Sequence, residues 1–287
     1  MEIQYFNSQE AAKILGVNVS TIKRWTEEGK LECIKTAGGH RKFLMEHLAK
    51  FLEDYGKKKA KANLFPVEDT TDLELSRHIL KGDFPFLQDF LFRHALEVNR
   101  VRLHQVLSGL YLGQYPLHEI YDHLLTPVLH RLGDLWEAGQ LSVIEEHLAA
   151  QAIRDGIIRL QGQIRIPRDK IGTVLCLNLA GELHDLPLKM VDHILEQRGF
   201  QVLFSGQITP AAQIDSLFQK WQPQRIYISS TYVEDLPTSQ WELDQILEIA
   251  HQHGSQVFVG GQGFDRLSFD HPAVVARLSC FEKVTNM

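Results

Sequence analysis

The sequence predicts a multidomain α and α/β fold: a winged helix-turn-helix, a four-helix bundle and a doubly wound, Rossmann-like parallel sheet. Three observations predict it. Residues 1–62 carry a helix-turn-helix pattern followed by a glycine-containing hairpin, residues 72–165 have apolar positions at helical spacing, and residues 166–287 alternate β-rich runs with helices. Because the Lys-rich stretch Gly56–Asn63 precedes an acidic, proline-containing segment, we expect residues 63–71 to be a linker.

The composition is that of a folded protein, with 44% hydrophobic and 23% charged residues in a chain of 287. No apolar run reaches the roughly 18 to 20 residues of a membrane span, and the first residues lack the pattern of a signal peptide. We therefore expect a cytoplasmic protein with no membrane partner. Its three cysteines, Cys33, Cys176 and Cys280, are far apart, so neither a disulfide framework nor a Cys-x-x-Cys metal site is predicted.

The net charge of -6 is unevenly distributed along the chain. Residues 1–62 contain 12 Lys and Arg against 8 Asp and Glu, a net of +4, whereas the remainder contains 18 against 28, a net of -10. A basic end can meet phosphate, while an acidic remainder is repelled by it. The charge supports nucleic-acid binding only because a DNA-binding motif lies in the same segment.

The first 28 residues predict two helices that cross closely. The small residues Ala11 and Ala12 allow a close crossing, and Gly16 allows the turn between the helices. Ser20 can cap the second helix, which we expect to end at Glu28. This second helix, at about Ser20–Glu28, is predicted to be the recognition helix of a helix-turn-helix.

The recognition helix is predicted to have one outward and one inward face. Outward Thr21, Lys23 and Arg24 could reach the major groove or the phosphates of double-stranded DNA, while Ile22 and Trp25 pack inward. For any single basic residue the alternative is a solvated surface charge.

The segment Thr36–Phe43 predicts a hairpin wing, with Gly38 and Gly39 for the turn and His40 and Arg41 at its tip. The helix-turn-helix and the Gly-Gly-His-Arg wing, in this order and at this distance, resemble the MerR regulator superfamily. The resemblance implies that His40 and Arg41 contact DNA. The alternative is a small helical domain with solvated Lys and Arg.

Residues 72–162 predict about four helices. Apolar residues recur at helical spacing, and breaks are expected at Lys81–Phe84, Gly113–Pro116 and Ala138–Leu141. Because each helix must bury its apolar stripe, a bundle is the economical arrangement.

The last third of the chain predicts βαβ units in a parallel sheet. In such sheets ligands bind beyond the carboxyl ends of the strands, so we expect function in the loops after Leu179, Ser230 and Val259. The predicted strands are Thr173–Leu179, Gln201–Ser205, Arg225–Ser230 and Gln256–Val259, and the predicted helices are Leu188–Gln197, Ala211–Lys220 and Trp241–His253.

The loop after the first of these strands contains His184, which directly precedes a helix and is therefore held by rigid elements. Glu182 could accept the proton of one ring nitrogen and so raise the basicity of the other toward a metal. A lone His in a loop is more often only a polar residue. Two further loops favour the metal hypothesis.

Forty-two residues lie between Pro187 and the sequence Ser230-Thr231-Tyr232, and 27 more precede Gly260-Gly261. This pattern resembles the cobalamin-binding fold of methionine synthases and mutases: Asp/Glu-x-His-x-x-Gly, then Ser-x-Leu, then Gly-Gly. The resemblance implies that His184 is the lower axial ligand of cobalt and that Glu182 supports it. It also implies that Ser230 and Thr231 meet the nucleotide tail, and that Gly260 and Gly261 let this tail pass close to the backbone.

Two residues depart from that pattern, because Pro187 stands where it has Gly and Tyr232 stands where it has Leu. Proline is acceptable in the first turn of a helix, so the fold is expected to survive. The departures bear on the affinity for cobalamin and on the width of the tail channel.

In the predicted bundle, Trp136 is followed after nine residues by Glu146-His147. This pattern resembles the motif with which light-responsive CarH regulators cover the upper face of adenosylcobalamin. The resemblance implies that Trp136 shields the adenosyl group and that Glu146 and His147 contact it. The alternative is a core Trp near a surface Glu-His pair.

The resemblance to CarH covers the whole chain. It implies a transcriptional repressor, not an enzyme, that is a DNA-bound homotetramer with adenosylcobalamin in the dark and dissociates in light. The residue after Trp136 departs from the family, in which a His captures cobalt after the adenosyl group leaves. Here it is Glu137, so the usual bis-His photoproduct is not expected there; His147 or His130 could substitute.

Three alternatives stay open. The chain could be a regulator of the same architecture that has lost cobalamin or that senses another tetrapyrrole or small ligand. It could be a corrinoid methyltransferase or mutase subunit, which is disfavoured because the chain is too short to hold a catalytic barrel beside the other modules. It could also be a DNA-binding protein whose sheet mediates protein contacts.

Overall fold

In the computed structural model the chain forms two compact units, Met1–Arg165 and Ile166–Met287. The structure describes residues 5–15, 17–36, 38–44, 47–48, 50–51, 70–179, 181–206 and 214–287. The predicted turn at Gly16, the Lys-rich stretch, most of the predicted linker and the start of the helix predicted from Ala211 lie outside the described residues. None of the described helices is long and apolar enough to cross a membrane.

The N-terminal segment contains helices and a small antiparallel sheet. Asn7 starts the first helix, because its Oδ1 accepts hydrogen bonds from the backbone N–H groups of Gln9 and Glu10. Ile22 is fully buried, as predicted, and the ring centroids of Trp25 and Phe51 lie 4.5 Å apart. The elements are β1 (Phe6–Asn7), α1 (Ser8–Ile14), α2 (Val19–Glu27), β2 (Ile34–Lys35) and β3 (Arg41–Phe43), with sheet order β1-β3-β2.

The predicted capping role of Ser20 is wrong. Ser20 lies inside α2, whereas Asn18 occupies the cap position with an extended backbone (φ -74°, ψ 151°). The extended backbone at Asn18 lets the helix begin at Val19, one residue before the predicted start.

The bundle is present, and all three predicted breaks fall between helices. Over residues 70–165, all of which are described, there are five helices and not four. They are α3 (Thr70–Lys81), α4 (Phe84–Leu96), α5 (Arg100–Leu112), α6, which runs through Leu117–Ile120, a π-helical segment Tyr121–Leu125 and Thr126–Glu137, and α7 (Val143–Gln161).

The additional break lies at Val98, whose backbone has φ +54°. At the end of α4, the N–H of Asn99 donates a hydrogen bond to the carbonyl oxygen of His94. The side chain of Asn99 then caps α5, because it accepts a hydrogen bond from the N–H of Arg102. A β-branched residue rarely adopts the left-handed conformation, so Val98 gives no signal for this break, whereas Asn99 is a typical N-cap residue and was a signal that the prediction missed.

The second unit has the predicted doubly wound parallel sheet. Its elements are β4 (Gly172–Asn178), α8 (Leu186–Gln197), β5 (Phe200–Phe204), α9 (Ile214–Trp221), β6 (Arg225–Ser229), α10 (Leu236–Gln252), β7 (Gln256–Gly260), β8 (Val274–Leu278) and α11 (Phe281–Asn286). The strand order is β5-β4-β6-β7-β8, and the pairs are parallel. The final strand and helix were not predicted; β8 is an edge strand of alternating exposure, and its short VVARL run lies outside the main βαβ repeats.

Candidate functional site

Glu182 joins two loops at the carboxyl edge of the sheet. Its side chain is 1% exposed. Oε1 accepts hydrogen bonds from the backbone N–H of His184 at 2.7 Å and from His184 Nδ1 at 2.6 Å. Oε2 accepts from the backbone N–H groups of Thr231 and, at 2.9 Å, Tyr232. One carboxylate therefore holds the loop after β4 against the loop after β6; we call this arrangement the Glu182 clamp.

The pKa of Glu182 lies below its usual value of 4.5. Burial is the largest single influence and raises the pKa, but the hydrogen bonds from His184, Tyr232 and Thr231 together lower it by more than burial raises it. Because an ionised Glu182 only accepts hydrogen bonds, Nδ1 of His184 carries the proton. The other nitrogen, Nε2, is then the atom that a metal would use.

His184 lies just before α8, and its side chain is 59% exposed. Asp185 occupies the cap position and Pro187 lies in the first turn of the helix, where the missing N–H of proline costs nothing. The prediction that Pro187 is compatible with the fold is confirmed. Tyr232, the second departure from the cobalamin pattern, is 62% exposed beside the Glu182 clamp.

Ser230 is buried, and its Oγ has no hydrogen-bond partner among the described residues. Its backbone is held by the loop after β7, because its N–H donates to the carbonyl oxygen of Gly260 and its own carbonyl oxygen accepts from the N–H of Gly263. A buried hydroxyl without a partner is rare in native proteins, which makes Ser230 Oγ a candidate contact for a ligand.

The loop after β7 approaches Ser230 so closely that side chains are excluded. Gly261 has φ +100°, and a Cβ at this position would overlap the carbonyl oxygen of Ser230. A Cβ on Gly263 would overlap Ser230 Oγ. Gly260 is less constrained, since its Cβ would lie 3.2 Å from the carbonyl oxygen of Leu278. Gly263 was not predicted as a site residue, although the Gly-Gly-x-Gly spacing was a signal for it.

The edge of the sheet therefore offers three features that fit a corrinoid. It has one imidazole oriented by a carboxylate, one unpartnered buried hydroxyl and a glycine cradle beside that hydroxyl. A single axial imidazole suits a metal that arrives inside a macrocycle, because the ring supplies the remaining nitrogen ligands.

The bundle residues of the predicted upper-face motif lie around the turn between α6 and α7. Trp136 is 46% exposed, and the side chains of Glu146 and His147 are 25% and 70% exposed, with 3.7 Å between Glu146 Oε2 and His147 Nε2. Trp136 is thus a surface residue and not a core Trp. Exposed apolar side chains occur along the same turn and the start of α7, namely Val143, Ile144 and Leu148. Glu137 and His130 are also exposed.

In the N-terminal segment, Lys23, Arg24 and His40 are exposed, and Thr21 is half-buried. Lys23 and the wing residues His40 and Arg41 line one shallow depression together with Asn7, Ser8, Gln9, Thr36 and Lys42. The wing is the predicted hairpin, because β2 pairs antiparallel with β3 and Gly39 takes φ +77° in the turn.

Arg41 differs from the other predicted DNA-binding residues. Its side chain is only 17% exposed, and its guanidinium Nη2 lies 2.9 Å from Oε1 of Glu27 at the end of α2. The pair braces the wing against the recognition helix. Glu27 was not predicted as a site residue, since a carboxylate on a DNA-facing helix has no obvious role in the sequence.

Two parts of the chain match known families. Residues 5–55 match a family described as a helix-turn-helix domain, and residues 74–161, which form the helical bundle, match a family described as a B12 binding domain. The fold is also similar to that of the Methanosarcina barkeri monomethylamine corrinoid protein, with a TM-score of 0.59, 14% identity, and coverage of 70% of this chain and 96% of that chain.

Curated relatives match at low identity. The chain is 26% identical over 284 residues to the HTH-type transcriptional repressor CarH of Myxococcus xanthus. This match covers 94% of this chain and 91% of the relative. It is 24% identical over 150 residues to dimethylamine corrinoid protein 3 of Methanosarcina acetivorans, covering 52% of this chain and 70% of that protein. The chain thus matches a helix-turn-helix domain and a B12 binding domain, and it is similar to the repressor CarH along nearly its whole length.

Proposed function

We propose that this protein is a light-responsive transcriptional repressor that binds adenosylcobalamin, and that ligand-dependent oligomerisation controls its binding to double-stranded DNA. The observation that carries the proposal is the Glu182 clamp, which orients His184 and joins two loops beside the unpartnered hydroxyl of Ser230. When bound, adenosylcobalamin supplies a cobalt–carbon bond that light can break.

The residues of the chain have separate roles in this proposal. His184 offers Nε2 as the lower ligand, and Glu182 keeps the proton on Nδ1. Ser230 and Thr231 meet the nucleotide tail beside the cradle of Gly260 and Gly261. In the bundle, the exposed indole of Trp136 shields the adenosyl group, with contacts from Glu146 and His147.

Oligomerisation provides the link to DNA. A ligand favours an assembly only through a higher affinity for that assembly, so binding shifts the population toward it. A tetramer brings several weak DNA-binding modules together, and its dissociation removes their avidity. Glu137 makes the light step differ from that of the family, because a carboxylate is a weaker ligand for cobalt than an imidazole.

A second candidate is a regulator of the same architecture that senses another tetrapyrrole or small ligand. The observation that favours it is the exposed phenol of Tyr232 at the rim of the site, together with Pro187 in the helix that follows His184. This candidate keeps the DNA-binding function and changes only the ligand.

The test is an absorption spectrum of the purified protein with adenosylcobalamin in the dark, combined with size-exclusion mass before and after green light. We expect tight binding, a larger mass in the dark and a fall in mass after light. Absence of binding would favour the second candidate. Binding without a change of mass would contradict the oligomer mechanism, and turnover of a methyl donor would indicate an enzyme.

Lys23→Ala is predicted to weaken DNA binding at all sequences and to reduce the slope of log affinity against log salt by about one. Lys23 is exposed on the recognition helix and lines the depression beside the wing, which suits a phosphate contact. The measurement is fluorescence anisotropy of an operator fragment at several salt concentrations. Lys81→Ala, which removes an exposed lysine at the end of α3, is the control. An unchanged slope in Lys23→Ala would place Lys23 outside the interface.

Trp136→Ala is predicted to weaken the binding of adenosylcobalamin about tenfold, because the ligand covers the exposed half of the indole and so removes apolar area from water. Hydroxocobalamin, which has no adenosyl group, should bind both proteins alike. Dark titrations followed by absorbance give both affinities. Trp241→Ala removes another exposed indole, from α10, and serves as the control. Equal losses for the two cobalamins would show that Trp136 does not read the adenosyl group.

A further inference from the structure

The carboxyl end of β4 holds a buried amide whose hydrogen bonds are not made. Asn178 is the last residue of this strand and is 0% exposed. Among the described residues, neither its Oδ1 nor its Nδ2 has a hydrogen-bond partner. An unpaired buried carboxamide destabilises a fold, since it loses its bonds to water and gains none in return. Such a residue requires an explanation.

The side chain of Asn178 faces α8. Side chains alternate along a strand, and Leu175, Leu177 and Leu179 belong to the apolar core on the side of α9 and α10. Cys176 and Asn178 therefore point to the opposite face, on which α8 packs. Burial raises the pKa of the Cys176 thiol, and the next contributions come from Asp192 and Lys189 of α8, in agreement with this orientation.

Asn178 also lies beside the candidate ligand site. Its Cα is in register with Ser229, the residue before the unpartnered Ser230. It precedes Glu182 by four residues in the same chain segment. Within the described parts of the chain, two buried polar side chains without partners thus lie at the ends of adjacent strands, at the edge where open α/β sheets bind ligands.

We propose that Asn178 recognises an adjacent hydrogen-bond donor and acceptor on the corrinoid, an inference that rests on the proposed function. A carboxamide offers one acceptor and two donors and forms paired hydrogen bonds with groups that present the complementary pattern. Two parts of a corrinoid present this pattern of an adjacent donor and acceptor. They are the carboxamide side chains of the corrin ring, and the outer edge of an aminopurine base in the nucleotide tail, where an amino group adjoins a ring nitrogen. The methylated edge of dimethylbenzimidazole has no donor.

The experiment compares the full-length wild-type protein with Asn178→Leu by dark absorbance titration of three ligands. These are a cobamide with an adenine base, cobalamin with its dimethylbenzimidazole base, and cobinamide, which has the carboxamides but no nucleotide. If Asn178 recognises the base, the affinity of the variant falls about tenfold or more for the adenine cobamide alone. If Asn178 reads a ring carboxamide, the loss is similar for all three ligands.

The same variant gives a readout in the absence of ligand. Leucine has the same number and branching of side-chain heavy atoms as Asn and needs no hydrogen bonds, so ligand-free Asn178→Leu should unfold at a higher temperature than the wild type. Cys176→Val is the matched control, because it changes the same face of the same strand two residues farther from the edge. It should leave all three affinities unchanged.

Unchanged affinities in Asn178→Leu would overturn the proposal, as would a lower unfolding temperature of the ligand-free variant. A wild-type protein that binds none of the three ligands would instead overturn the proposed function. The two failures are therefore distinguishable.

Discussion

Glu182→Ala is expected to lower the free energy of unfolding of the α/β unit by about 3 kcal/mol, the largest effect of any single substitution considered for this site. The backbone N–H groups of His184, Thr231 and Tyr232 all donate to this carboxylate, and the variant leaves them without an acceptor. Each buried group that loses its partner costs about 1–3 kcal/mol, reduced where water can enter beside the exposed imidazole.

Urea unfolding and hydrogen exchange measure this effect globally and locally. The backbone amides of Thr231 and Tyr232 should exchange faster in Glu182→Ala, since the two loops are no longer held together. Glu234→Ala is the control, because Glu234 is an exposed carboxylate in the same loop. Wild-type exchange rates in Glu182→Ala would mean that the loops are held by other contacts.

The contribution of Glu182 depends on pH in a defined direction. Its pKa is lowered by folding, so its stabilising effect is fully present above its usual value of 4.5 and is lost as the pH falls through the lower, folded value. Glu182→Gln cannot ionise and should lack this dependence. The difference in stability between wild type and Glu182→Gln should therefore shrink as the pH falls through this lower value.

His184→Ala is expected to keep the fold and to weaken cobalamin binding by about 100-fold. The imidazole is 59% exposed, so its removal leaves no cavity in the core. Even outer partners of a metal ligand typically account for about 10–100-fold in affinity, and loss of the ligand itself should reach the upper end of this range. The absorption spectrum should also change, because cobalt loses its lower imidazole.

Added imidazole should partly restore the wild-type spectrum of His184→Ala, since it can occupy the space left by the side chain. A merely structural role for His184 would not respond to imidazole. His251→Ala, which removes an exposed histidine from α10, is the control. An unchanged spectrum and affinity in His184→Ala would remove His184 as the lower ligand.

Local pattern was sufficient to predict most of the fold. The alternation of β-rich and helical runs predicted the parallel sheet, and each of its four predicted strands lies within one residue of the observed bounds. The loops that carry Glu182, His184, Ser230 and Gly261 were predicted because each follows a strand, and parallel strands bring such loops to one edge. The resemblance to the cobalamin-binding fold then implied the roles of the individual residues. The same local logic predicted the wing and its glycine turn.

The sequence by itself determined most of the elements and which loops meet, because these follow from periodicity and chain order; the break after Leu96, the last strand and the last helix were not predicted. The tertiary structure alone decided which polar groups are left without partners, which carboxylate holds two loops together and where a β-branched residue ends a helix. Asn178 and Ser230 are ordinary polar residues in the sequence and become exceptional only when packing removes water from them. Gly263 and Glu27 acquire their roles in the same way, from a close approach and an ion pair between segments separated in the chain, because such distances are set by packing and not by local pattern.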